Sequence, residues 1–304
     1  MKKIILTLAL SSLLFSCSSS NDPDDGSLIP ISLTSRIVVA ERSNQQDVQI
    51  AANQQTSFFV TTTGNAGNVL YDNVRLTADG NGNFSYSYQG GTVLYYPTEA
   101  INVDFYAVHP YSESASLSSV TKFAVKQDQT VLKNYYDSDL LYSMVDDIAK
   151  TRAAVPMVFD HKLSKISFTV REGAGVDLSG LTAISVMNVM SEIDMNLTDG
   201  TLVPVSGDVT EIGVYGVRGT TGSETQVSGM SAIIVPQSFV TDGSKLLFRL
   251  TISGRDFYYT PAVGILFEEG KIYSYILTVN NTGIEVTSSI NNWYPGGETE
   301  GEVS

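Results

Sequence analysis

The amino-acid sequence predicts an all-β protein built as two β-sandwich domains in tandem, and three observations carry that expectation. Tyr, Phe, Val, Ile and Thr are abundant, glycines number 25 and only 16% of residues are charged; such a composition suits half-buried strands joined by turns. Period-two alternation recurs. Ile101, Val103, Phe105 and Ala107 share one face of an extended segment, and Leu246, Phe248, Leu250 and Ile252 share another. Finally, most of the 304 residues remain once a leader is set aside, and an ordinary sandwich uses only about 100. Apolar spacing at i, i+3, i+4 and i+7 is nowhere sustained for three turns. One short helix is expected over Ser143–Lys150, where Val145, Ile148 and Ala149 share a face.

The chain opens with Lys2 and Lys3, a short apolar run from Ile4 to Phe15, the small residue Ser16 and then Cys17. This layout reads as a secretory signal over residues 1–16, with cleavage at a cysteine that is lipidated. The run is too short to cross a hydrocarbon core, which takes about 20 residues. Residues 17–28 follow as an acidic tether, small and polar from Ser18 to Gly26. Acyl chains on Cys17, palmitate among them, anchor a protein to a membrane without a spanning helix. Loss of residues 1–16 removes Lys2 and Lys3 and no acid, which moves the formal charge from −14 to −16. A surface of that sign repels nucleic acid. The single cysteine leaves no disulfide framework and no thiolate metal site.

The N-terminal sandwich is expected over 29–154. Ile29, Ile31, Leu33, Ile37 and Val39 occupy one face of an extended strand, with Arg36 on the other face and Arg42 in the polar run beyond. Strands follow at Ser57–Thr62, Val69–Leu76, Asn83–Tyr88 and Ile101–Val108, separated by Gly- and Asn-bearing turns. Asp79-Gly80-Asn81-Gly82-Asn83 looks like part of a calcium loop but lacks the downstream Glu, so it reads as a turn. The C-terminal sandwich is expected over 155–304. There Leu163, Ile166, Phe168 and Val170 alternate with one irregular step, read as a bulge.

No constellation for catalysis emerges, and no cofactor or metal is expected. His109 and His161 have no nucleophile motif beside them. Asp160-His161 reads as an ordinary hydrogen-bonded histidine, and Asp146-Asp147 as a solvated pair. Tyr95, Tyr96, Tyr106, Tyr111, Tyr135 and Tyr136 are conceivable sugar-stacking platforms, although such tyrosines usually pack across strands.

Several short segments resemble one family. Val158-Phe159-Asp160-His161-Lys162-Leu163-Ser164-Lys165-Ile166 resembles the segment that opens the second domain of the fimbrillin-like proteins, the type V pilins of Bacteroidota. Ala232-Ile233-Ile234-Val235-Pro236-Gln237, Gly270-Lys271-Ile272-Tyr273-Ser274-Tyr275 and Ile290-Asn291-Asn292-Trp293 are similar to the same family, and Asp139-Leu140-Leu141-Tyr142 matches more weakly. The resemblance implies transthyretin-like sandwiches and export as an outer-membrane lipoprotein. It also implies an arginine-directed cut that frees an N-terminal strand, and assembly into a surface pilus as a neighbour's strand fills the groove. On that reading Arg36 and Arg42 are the candidate cleavage sites, and Ile29, Ile31, Leu33, Ile37 and Val39 form the leader strand. Ile284, Val286 and Ile290 mark a candidate donor, the other reading being that both segments stay in their own sheets. The expected partners are other pilin subunits, an outer membrane reached through the lipid before processing, and a host or bacterial surface ligand. The alternative is a monomeric surface lipoprotein that binds carbohydrate.

Overall fold

The structure is a computed structural model that describes residues 28–37, 49–86 and 93–293. Cys17, Val39 and Arg42, with the signal and most of the tether, lie outside the described residues. In chain order the first strands are β1 (Leu33–Ile37), β2 (Gln55–Thr62), β3 (Asn65–Ala78), β4 (Phe84–Tyr86), β5 (Val103–His109), β6 (Thr121–Ala124), β7 (Leu141–Ile148) and β8 (Val155–His161). One short helix, α1 (Leu132–Asp137), lies between β6 and β7. All but β6 form one sheet in the order β1-β8-β7-β5-β2-β3-β4. A bridge between Thr34 and Asn83 brings its two edge strands together, so the sheet curls around its own core.

The remaining strands are β9 (Ser164–Glu172), β10 (Leu181–Met190), β11 (Glu192–Asn196), β12 (Thr201–Val203), β13 (Val209–Gly213), β14 (Gln226–Ile234), β15 (Gln237–Phe239), β16 (Phe248–Ile252), β17 (Arg255–Tyr259), β18 (Ile265–Phe267), β19 (Lys271–Asn280) and β20 (Gly283–Asn292). They make sheets ordered β13-β10-β16-β17 and β14-β9-β19-β20, with β15-β18 as a small pair. A three-stranded sheet, β12-β11-β6, takes one strand from the first half of the chain. The chain is therefore all-β, as composition and alternation predict.

Two hydrophobic clusters hold these layers. The smaller contains Phe58, Phe105, Met157 and Phe159 inside the curled sheet. The larger joins Phe59, Tyr106 and Val108, on that sheet's other face, to Phe168, Phe248, Tyr275 and Leu277 beyond. Strand β5 is consequently buried along its whole length, with Val103, Phe105 and Ala107 on one face and Tyr106 and Val108 on the other. Sheet membership changes between His161 and Ser164. Val155–His161, expected to begin the C-terminal unit, instead belongs to the first sheet, where Val155, Met157 and Phe159 fill the smaller core.

The expected helix over Ser143–Lys150 is strand β7. Its i, i+3 spacing has another cause, because one extra residue stands in β7 opposite the Val103–Phe105 step of β5. Asp147 there has φ of 53° and donates its N–H to Asp104 Oδ1 at 2.9 Å. The bulge lets Val145 and Ile148 both pack on the smaller core. The irregular step near Leu163 is also relocated. Leu163 precedes β9, and the extra residue lies in β14 between Val227 and Met230, where Gly229 takes φ of 81°.

Candidate functional site

The segment from Ile29 to Ile37 reaches the smaller core from outside its strand neighbours. Ile29, Ile31, Leu33 and Ile37 are all buried, while Arg36 is exposed. Strand β1 pairs parallel with β8, with Leu33 opposite Val155, Ser35 opposite Met157 and Ile37 opposite Phe159. Upstream, Ile31 N–H donates to the Leu94 carbonyl at 2.8 Å and Tyr96 N–H to the Ile29 carbonyl at 3.0 Å. The Tyr86 hydroxyl donates to the Ile31 carbonyl at 2.9 Å. This segment is thus an edge strand clamped between β8 on one side and residues 82–86 and 94–96 on the other.

Gly82 makes one side of the clamp close. Ser35 N–H donates to its carbonyl at 2.7 Å. Gly82 has φ of 90°, and a Cβ there would stand 3.0 Å from the Ser35 carbonyl oxygen. The preceding Asp79 supplies the turn. Its carboxylate accepts from the Asn81 N–H at 2.7 Å, from the Asn83 N–H at 3.0 Å and from Asn83 Nδ2 at 2.8 Å. These bonds, the Asn83 side chain foremost, hold the Asp79 carboxyl below its ordinary pKa. The loop that looks calcium-like spends its one carboxylate on its own backbone and on the Asn83 amide.

The C-terminal segment lies elsewhere. Strand β20 is the free edge of its sheet and pairs antiparallel with β19 from Lys271↔Asn292 to Asn280↔Gly283. Ile284, Val286 and Ile290 are only half-buried, against the larger core. The two candidate strands therefore sit in different sheets, and neither touches the other's groove within one copy.

The residue that anchors the end of β20, Trp293, stands in the sequence only as part of a resembling segment, with no packing role legible there. Trp293 is the largest fully buried side chain among the described residues and stacks flat on His161, with ring centroids 3.8 Å apart and planes 8° apart. His161 Nδ1 bonds Asp139 Oδ1 at 2.8 Å; its neighbour Asp160 is exposed. The Lys165 ammonium lies 5.3 Å from the Trp293 ring centroid. The backbone N–H of Trp293 also donates to the Gly270 carbonyl at 2.7 Å. Side chains from β8, β9 and the residue that follows β20 thus meet in one packed knot, and the resembling segments around 139, 161 and 293 are the ones that form it.

His109 is fully buried between two carbonyls, Gln55 at 2.8 Å from Nδ1 and Tyr136 at 3.1 Å from Nε2. Burial lowers its pKa below the ordinary value, and the two carbonyls oppose that shift without reversing it. Of the tyrosines considered as sugar platforms, Tyr96, Tyr106, Tyr135 and Tyr136 are core residues. Asp146 and Asp147 sit at the β7 bulge, and no group of three or more His, Cys, Asp or Glu that could hold a metal occurs among the described residues.

A family model described as fimbrillin-like matches residues 41–293. A Bacteroides uniformis protein named as a candidate fimbrium subunit, Fim1C, is 30% identical over 256 residues, covering 78% of this chain and 76% of its own length. Among solved structures, a candidate cell adhesion protein of Bacteroides uniformis superposes with a TM-score of 0.63 at 21% identity, covering 88% of this chain and 100% of its own. A second, from Bacteroides ovatus, gives 0.66 at 18% identity, covering 89% and 100%.

Proposed function

Because this chain belongs to the fimbrillin-like family, we propose that it is a structural or adhesive subunit of a surface fimbria, exported as a lipoprotein on Cys17 and assembled by strand replacement. In this reading an arginine-directed cut releases the segment containing Ile29–Ile37. The C-terminal strand of a second copy, or of a related subunit, then takes its place beside β8.

One observation carries the reading. The buried face of the leader runs Ile31, Leu33, Ser35, Ile37, and the matching face of β20 runs Ile284, Val286, Ser288, Ile290. The order is the same at every second residue: isoleucine, aliphatic, serine, isoleucine. A donor in that register places Val286 opposite Val155, Ser288 opposite Met157 and Ile290 opposite Phe159, and it keeps an interrupting serine where the groove already accepts one. At home the three aliphatic side chains are half-buried, whereas those of the leader are buried. Completing their burial contributes roughly 2–5 kcal/mol at about 1.5–3 kcal/mol per fully buried side chain. The ladder to β19 is given up, so the exchange is favoured only where a groove stands empty. Cleavage is then the event that licenses it.

Arg42 is the better cleavage site. The backbone of Arg36 is engaged in β1, opposite Val158, and a protease that needs an extended free segment would first have to peel that strand away. The experiment is treatment of the purified precursor with an Arg-specific protease, followed by N-terminal sequencing and size-exclusion chromatography. A terminus just after Arg42 or at Ile37, together with a ladder of polymers, is expected. A cleaved terminus on a chain that stays monomeric would overturn strand replacement.

A further inference from the structure

We infer that the cleft between the first sheet and the β12-β11-β6 sheet is a binding site for a carboxylated saccharide. Its volume is about 500 Å³, within the range of small-ligand sites. Val108, Leu140 and Met195 contribute to its lining, and Lys122, Lys126 and Lys133 lie along it, with Asp137 the only carboxylate among the described residues that line it.

Charge is the first argument. The chain has 18 basic and 32 acidic residues, so a cleft with three lysines and one aspartate inverts the sign of the surface around it. Lys133 is partly neutralised by Asp137, 2.5 Å away on the same helix. Lys122 and Lys126 are exposed, and neither forms an ion pair among the described residues. Among those residues Lys126 has no carboxylate paired with it, and Lys122 faces Asp194 across the β6–β11 pair without closing an ion pair; both ammoniums lie beside a low-dielectric wall, which concentrates their field and attracts an anion.

Chemistry narrows the anion. The side-chain amides of Asn53 and Gln54 also line the cleft and make no hydrogen bond among the described residues. An amide offers both donors and an acceptor, which suits the hydroxyls of a sugar better than a bare inorganic ion. Tyr111, one ring face of which is covered by the Arg75 guanidinium 4.2 Å from its centroid, adds a half-buried aromatic edge to the same rim. A ligand that satisfies all three kinds of group carries a carboxylate, several hydroxyls and a ring of modest size.

The test is calorimetric titration of the purified full chain with 3′-sialyllactose and with trigalacturonate, each against lactose and against sodium sulfate. Binding of at least one acidic sugar is expected, with no heat from lactose and with weakening as salt rises from 20 to 200 mM. The double variant Lys122→Gln, Lys126→Gln changes two exposed side chains; it is expected to melt as the parent does and to lose at least tenfold in affinity. Lys122→Arg, Lys126→Arg is expected to retain binding. Failure of both acidic sugars to bind, equal binding of lactose, sulfate competing as well as the sugars, or an unchanged Gln variant would each overturn the assignment.

Discussion

Two buried rings set the residue-scale behaviour of this protein. Trp293 is almost completely buried and packed face to face on His161. Trp293→Ala is expected to lower stability by about 3–5 kcal/mol, the range for truncating a buried aromatic, read from the midpoint of urea unfolding. His109 gives a pH dependence whose sign follows from its lowered pKa. The unfolded chain takes up the proton near pH 6.5, but the folded chain does so only at lower pH. In that window the unfolded state therefore binds more protons. Stability contributed by neutral His109 is complete above about pH 6.5 and is lost as pH falls, by at most about 1.4 kcal/mol per pH unit. Chemical unfolding at pH 7.5, 6 and 5 is expected to show this decline, and His109→Gln is expected to flatten it.

At the scale of elements, the proposed leader strand depends on neighbours that accept it. Gly82→Ala forces a side chain into a left-handed backbone beside the Ser35 carbonyl. The cost is about 1–2 kcal/mol, and amide exchange at Leu33–Ile37 is expected to accelerate more than exchange in β5. Strand β20 allows a sharper separation of roles, because it is an edge and its apolar face is only half-buried. Ile290→Asp is expected to leave the uncut chain folded, as judged by far-UV circular dichroism, and to abolish polymer formation after Arg-specific cleavage. Polymerisation at the parent rate would show that β20 is not the donor.

For the molecule as a whole, net charge opposes self-association while the proposed joint favours it. Copies that each carry a formal charge of −14 or more repel at distances up to about a Debye length, about 10 Å at 0.1 M salt. The rate of assembly after cleavage is therefore expected to rise between 10 and 150 mM NaCl, as followed by light scattering. The cationic cleft is expected to respond in the opposite direction, which makes ionic strength a simple way to separate the two surfaces.

Much of this was legible in the chain itself. Period-two alternation marks strands at Ile101–Val108 and Lys245–Ser253, which the structure places at Val103–His109 and Phe248–Ile252, because the pleat puts every second side chain on the same face whatever the partner strand is. Alternation also marked the Ile29–Ile37 face as buried. Three matters waited for tertiary structure. The spacing of Val145 and Ile148 looks helical until β5 is seen to pair across a bulge. Val155–His161 belongs with the strands before it because β1 pairs with it across more than a hundred residues. The Asp139–His161–Trp293 knot assembles side chains from three distant points. Sequence by itself determined which residues have a face to bury, since that is local stereochemistry. Which groove buries each face, and where the charges of the surface gather into a cleft, depends on long-range strand pairing, and only the folded arrangement decides it.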